Sequence, residues 1–210
     1  MSALRTTATT FGVYAGLLGM DHGFFETLQG NTATHGIKIL AVNPFALPFP
    51  FGHEPALTII PNFLATGIVA MLVGLSIVIW SGWFVQTQHG GSILFLLTIT
   101  LLFVGGGFGP ITLLIPASIA AAKIDKPLPW WRSHLSTSVR RLLAKVWVWS
   151  FLAAILYVPL EFIVGQVFGV KNDPKLNLTL CYPLLGLFTL ALIAAFAHGI
   201  ERGIAVHPTA

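Results

Sequence analysis

Apolar residues run through this chain in five long blocks, at residues 8–28, 57–85, 93–122, 146–168 and 178–198, separated by stretches rich in proline, glycine or charge. None shows the ten-residue alternation of a membrane strand. Each is a near-continuous run that, at 1.5 Å per helical residue, can cross the roughly 30 Å hydrocarbon layer. The pattern predicts an all-α integral membrane protein, a bundle of about five transmembrane helices forming a single domain over residues 1–210. The first block is the least apolar, with Asp21, His22 and Glu26 in its second half. The third is interrupted by Gly105-Gly106-Gly107-Phe108-Gly109-Pro110, and a re-entrant break there would invert everything before it.

Two connections carry patterns of their own. Pro44, Pro48, Pro50 and Pro55 interleave with Phe45, Leu47, Phe49 and Phe51 after the first block. Repeated proline prevents a regular helix, and apolar side chains this dense predict a Pro/Phe-rich lid loop folded back on the helix ends. After the third block, Trp130 and Trp131 read as headgroup-level anchors. Residues 133–145 then put Leu135, Val139, Leu142 and Leu143 near one face with Arg140 and Arg141 on the other, which predicts an interfacial amphipathic helix feeding the fourth span.

Composition sharpens this reading. The chain is 55% hydrophobic and only 9% charged, against roughly 25% charged in a soluble domain, so most of its surface must face lipid. Eleven Lys and Arg against seven Asp and Glu leave a net charge of +4. Lys123, Lys126, Arg132, Arg140, Arg141 and Lys145 fall together, opposed only by Asp125. That excess places the 122–145 loop in the cytoplasm of a multi-pass cell-membrane protein and accounts for the charge without nucleic acid. With five spans, the N-terminus falls outside, and the first loop and C-terminus share the basic side. The single cysteine, Cys181, excludes an internal disulfide framework, a Cys-rich zinc or iron–sulfur site and a C-x-x-C-H haem attachment.

Chemistry is sought where the apolar pattern fails, because an ionisable group at membrane depth faces a partner or a wet cavity. Projected at 100° per residue, Gly12, Gly16, Gly19 and Gly23 form one stripe of the first helix, a small-residue face for close helix packing. Glu26 continues that stripe and His22 lies one turn before it, placed to hydrogen-bond it. Asn62 heads a polar seam with Thr66 and Ser76 on the second helix, and Ser150, Tyr157 and Glu161 form another on the fourth. His198, Glu201 and Arg202 close the fifth. Helix count then predicts a buried polar cluster under the lid, made of His22, Glu26, His53, Glu54, Asn62, His198, Glu201 and Arg202, with Glu161 set apart toward the other face.

Three functions fit such a cluster. The first is a small proton- or cation-handling transporter or channel-like protein, using Glu26, Glu161 and the His22/His198 neighbourhood as a relay, and assembling as a homo-oligomer. The second is an intramembrane metal-dependent enzyme with zinc or iron on His22, Glu26, His53 and His198, although neither His/Glu pair matches H-E-x-x-H. The third is a non-catalytic subunit bound to a partner in a larger membrane complex, its charges serving only as structural ion pairs. No G-x-S-x-G elbow, P-loop or dinucleotide fingerprint occurs.

Overall fold

Helix starts follow local capping chemistry. Ser2 accepts a hydrogen bond from the Arg5 amide and opens α1, Ala3–Thr27. Asn62 Oδ1 accepts from the Ala65 amide at 3.0 Å and opens α2, Phe63–Ile79, the usual role of an N-cap side chain. α2 continues through a π-helical turn at Trp80–Phe84. There follow α3 (Gly90–Phe103), α4 (Phe108–Ala122), the short α5 (Pro129–His134), α6 (Thr137–Val167) and α7 (Pro174–Val206). A two-stranded ribbon joins α1 to α2: β1 (Lys38–Leu40) pairs antiparallel with β2 (Pro55–Leu57). The computed structural model describes residues 2–40, 55–167 and 174–206, with side chains described except at 161–162, 165–167, 174–181 and 204–206.

Close contacts set the helix directions. A β-carbon on Gly16 would lie 2.8 Å from the Gly74 carbonyl oxygen, and one on Gly23 would lie 2.7 Å from that of Gly67. α1 and α2 therefore pack antiparallel with almost no side chain between their backbones. Gly12 and Gly19 face Leu94 and Leu101, so α3 runs parallel to α1. Gly91, at the start of α3, touches Ala122, at the end of α4, so these two helices form an antiparallel hairpin. Trp147 donates to Thr7 at 3.3 Å and Phe151 stacks on Phe11, which makes α6 parallel to α1. Gly199 near Leu4 and Phe188 against Phe11 make α7 antiparallel to it.

This arrangement corrects the expected bundle. Residues 93–122 are not one span. The chain reverses at Val104–Gly105–Gly106–Gly107, where Gly105 (φ 92°) and Gly107 (φ 76°) adopt left-handed backbone that L side chains rarely enter. α3 and α4 have 14 and 15 residues, about 21–23 Å each and shorter than the hydrocarbon layer. The extra reversal brings Leu4, Leu128 and Gly199 together at one end. The N-terminus and the 122–145 segment thus share an end, and the opposite sides expected for them do not hold. The separate interfacial helix is also revised: α5 has only six residues, and 137–145 are the opening turns of α6.

Among the described residues, three helical stretches are long and apolar enough to cross a membrane: Phe63–Phe84, Thr137–Leu160 and Tyr182–Gly203. α1 has the length but carries Arg5, Asp21 and Glu26. Its position explains the tolerance. α2, α3, α4, α6 and α7 all touch it, so much of its surface meets protein instead of solvent or lipid. The core forms around it from Phe11, Ala15, Leu94, Leu101, Leu114 and Phe196.

Candidate functional site: the His22–Glu26 pair under the glycine turn

The ribbon end of the bundle holds the least expected group in the molecule, a carboxylate with no exposed surface. Glu26 sits in the last turn of α1, 0% exposed, and His22 one turn earlier is 4% exposed. His22 Nδ1 lies 3.4 Å from Glu26 Oε1. Among the described residues, no hydrogen-bond donor reaches either carboxylate oxygen of Glu26 with good geometry. Burying a carboxylate costs several kcal/mol unless it is neutralised or fully bonded. Here one imidazole supplies the polar company.

The wall of this site is backbone. A β-carbon on Gly105 would fall on the Glu26 carboxylate, and one on Gly107 would lie 2.6 Å from His22 Cδ2. Glycine at both positions lets the α3–α4 turn close directly over the pair and exclude water.

Residues 57–59 pin that turn from its outer side. The Gly105 amide donates to the Leu57 carbonyl at 2.8 Å, and the Ile59 amide donates to the Phe103 carbonyl at 3.0 Å. Inside this bridge, the Thr66 hydroxyl donates to the Val104 carbonyl at 2.8 Å. Thr58 and Thr66 hydroxyls are 2.5 Å apart. Because the Thr66 proton is committed to Val104, Thr58 is the donor of that pair. Thr58 in turn accepts from the Ile60 amide at 3.0 Å. Both threonines are buried, so the turn is held by a closed chain of hydrogen bonds.

The other end of the bundle is built differently. Arg140 Nε donates to Glu201 Oε1 in a short, charge-assisted bond. Arg141 Nε lies 3.9 Å from the other oxygen. The His198 ring packs on Trp147 with centroids 4.9 Å apart, and Arg202 is exposed nearby on α7.

The structure therefore divides the residues expected to form one cluster. His22 and Glu26 meet, but His198, Glu201 and Arg202 do not join them. Leu4 adjoins Gly199, and His22 lies eighteen residues farther along α1, about 27 Å at 1.5 Å per residue. The metal set of His22, Glu26, His53 and His198 is accordingly split, and among the described residues no three His, Cys, Asp or Glu side chains group to hold an ion. His53, Glu54 and the body of the Pro/Phe-rich lid lie outside the described residues, as does the Glu161 side chain. Position 161 is 21 residues beyond Arg140 on α6, about 31 Å along the helix, so its backbone is carried toward the His22 end and not away from it.

Asn62 serves structure. It caps α2 and donates from Nδ2 to Asn31 Oδ1 at 2.7 Å, because the second helix begins at Phe63 and not at 57. Ser76 is exposed and bonds the Leu72 carbonyl of its own helix, so of the expected polar seam of Asn62, Thr66 and Ser76 it is Thr66 that lies in the interior. Tyr157 is half-buried on α6. Gly12, Gly16 and Gly23 lie against α2 and its π-helical turn, while Gly19 lies against Leu101 of α3. Thr58 is the contributor the sequence reading passes over. No spacing rule links it to Val104, and only the fold brings them together. Compared with known proteins, the chain matches no family model, no curated protein and no solved structure.

Proposed function

We propose that this chain is a small multi-pass membrane protein that couples transport to a proton held on the Glu26–His22 pair, with the basic end of the bundle in the cytoplasm. One observation carries the reading: a fully buried carboxylate whose ion-pair partner among the described residues is an imidazole at 3.4 Å. An acid and a base one helical turn apart in a water-poor site can share, take up and release one proton. The wall over them supports movement, since it is a glycine turn held by a few hydrogen bonds and not by interlocked side chains. The middle of the bundle favours a carrier over an open pore. Between the two ends, Phe11 and Ala15 of α1 share a buried apolar core with Leu94, Leu101 and Leu114, and among the described residues no carboxylate or imidazole bridges the gap. Positive-inside orientation then puts the Glu26 end toward the cell exterior.

Proton flux tests this. Full-length protein is reconstituted into vesicles loaded with a pH-sensitive dye, under a potassium–valinomycin potential. Wild type is expected to move protons at least tenfold faster than empty vesicles, and Glu26→Gln to fall to the empty-vesicle rate. Equal rates for wild type and Glu26→Gln, with both folded, would sink the reading and leave Glu26 as a structural group of a non-catalytic subunit.

A further inference from the structure

Among the described residues, one carboxylate serves the cations at the head of α6. Glu201 bonds Arg140, whose side chain is 10% exposed, and touches the 69% exposed Arg141 only loosely, at 3.9 Å. Lys145, one turn on, is exposed, and among the described residues no acid pairs with it. Arg141 and Lys145 are 40° apart in helical projection, so they lie on one face. That face changes character along the helix. Val148, Leu152 and Leu156 follow within the same 80° sector, with Trp149 at its edge, and all four are large, apolar and exposed. They belong to one of the three stretches able to cross a membrane.

We propose that this face of α6 binds an anionic phospholipid, its phosphate on Arg141 and Lys145 and an acyl chain along Val148, Leu152 and Leu156. Charge complementarity selects the headgroup. Arg141 has only a loose hold on an acid already bonded to Arg140, and Lys145 has no acid among the described residues, which leaves an uncompensated positive step, whereas a zwitterionic headgroup would bring its own cation against them. The apolar continuation selects a lipid over a soluble anion. From Lys145 to Leu156 the helix rises about 16 Å, a length that a fatty acyl chain can cover. Trp149 stands in the first turn of the apolar region, close to the cations, the usual level of an aromatic at the headgroup boundary.

The test compares retention of phosphatidylglycerol and phosphatidylcholine on the full-length protein by native mass spectrometry from mixed nanodiscs. Wild type is expected to retain phosphatidylglycerol preferentially. Arg141→Gln/Lys145→Gln should weaken that retention about 30-fold, at about 1 kcal/mol for each cation near an anionic surface. Lys123→Gln/Lys126→Gln removes the same charge elsewhere on the basic end and should leave retention within about twofold. Three outcomes overturn the assignment. One is no preference in wild type. A second is an equal loss in the two double variants, which would mean diffuse surface charge. The third is displacement by millimolar inorganic phosphate, which would mean a site for a soluble anion.

Discussion

The two ends of this bundle each pair an acid with a base, and they treat the pair in opposite ways. At the basic end Glu201 sits between Arg140 and Arg141 with a quarter of its side chain exposed. Water and two guanidiniums share the stabilisation of its charge. At the ribbon end Glu26 has no exposed surface and, among the described residues, one imidazole beside it, under a turn whose glycines press backbone against the carboxylate. The first arrangement keeps its carboxylate in touch with water, and its looser contact, to the exposed Arg141, is of the kind that is worth little. The second costs stability wherever it occurs, and that cost is what makes Glu26 the candidate site. Burial, not residue type, separates the two.

The sharpest way to break the comparison is to remove the base at each end. His22→Ala leaves Glu26 buried with no partner among the described side chains. Stranding one member of a buried pair costs about 3–5 kcal/mol, so a large fall in unfolding free energy is expected, read by tryptophan fluorescence under denaturant titration in detergent. In a Glu26→Gln background the charge is already gone, and the same His22→Ala change should cost no more than about 1–2 kcal/mol. A cost that is the same in both backgrounds would show that the two side chains are not coupled.

A smaller effect is expected from the turn. Gly105→Ala forces a non-glycine residue to φ near +92° and sets its methyl on the Glu26 carboxylate. Backbone strain of this kind costs about 1–3 kcal/mol. Combining it with Glu26→Ala, which opens the space, should recover the steric part and leave the backbone part, a net penalty of about 1–2 kcal/mol. Full additivity of the two single changes would mean that the turn does not rest on Glu26.

How much of this was legible follows from the same contrast. The approach of His22 to Glu26 needs only i, i+4 spacing on one helix, and the glycine stripe needs only the helical period. Both depend on residues within a few turns of each other. The reversal at Gly105 and Gly107 is another matter. Residues 93–122 are apolar throughout, and hydropathy records how much surface must avoid water without recording which way the chain runs. The run of glycines marked a break, but its direction depends on positive φ angles and on a bridge to Thr58 and Thr66, about 40 residues away in sequence. One missed reversal changes the parity of every later helix. His198, Glu201 and Arg202 were therefore expected beside His22, and they lie a bundle length from it.

The smallest expected effect sharpens the comparison most, because it separates stability from binding. Arg141 is mostly exposed and its approach to Glu201 is long. In detergent, Arg141→Gln should change the unfolding free energy by less than about 0.5 kcal/mol. That small change should shrink further between 50 mM and 500 mM salt, since the Debye length falls from roughly 14 Å to about 4 Å and exposed charges are screened. Nothing comparable holds for His22→Ala, whose buried partner salt cannot reach, so its penalty should stay constant over the same range. A salt-sensitive His22→Ala penalty would mean that water and ions enter beneath the glycine turn in the resting state. Salt-insensitive penalties at the ribbon end beside salt-sensitive ones at the basic end would establish that the turn seals Glu26 when the protein is at rest, and that any proton reaching it must wait for the turn to move.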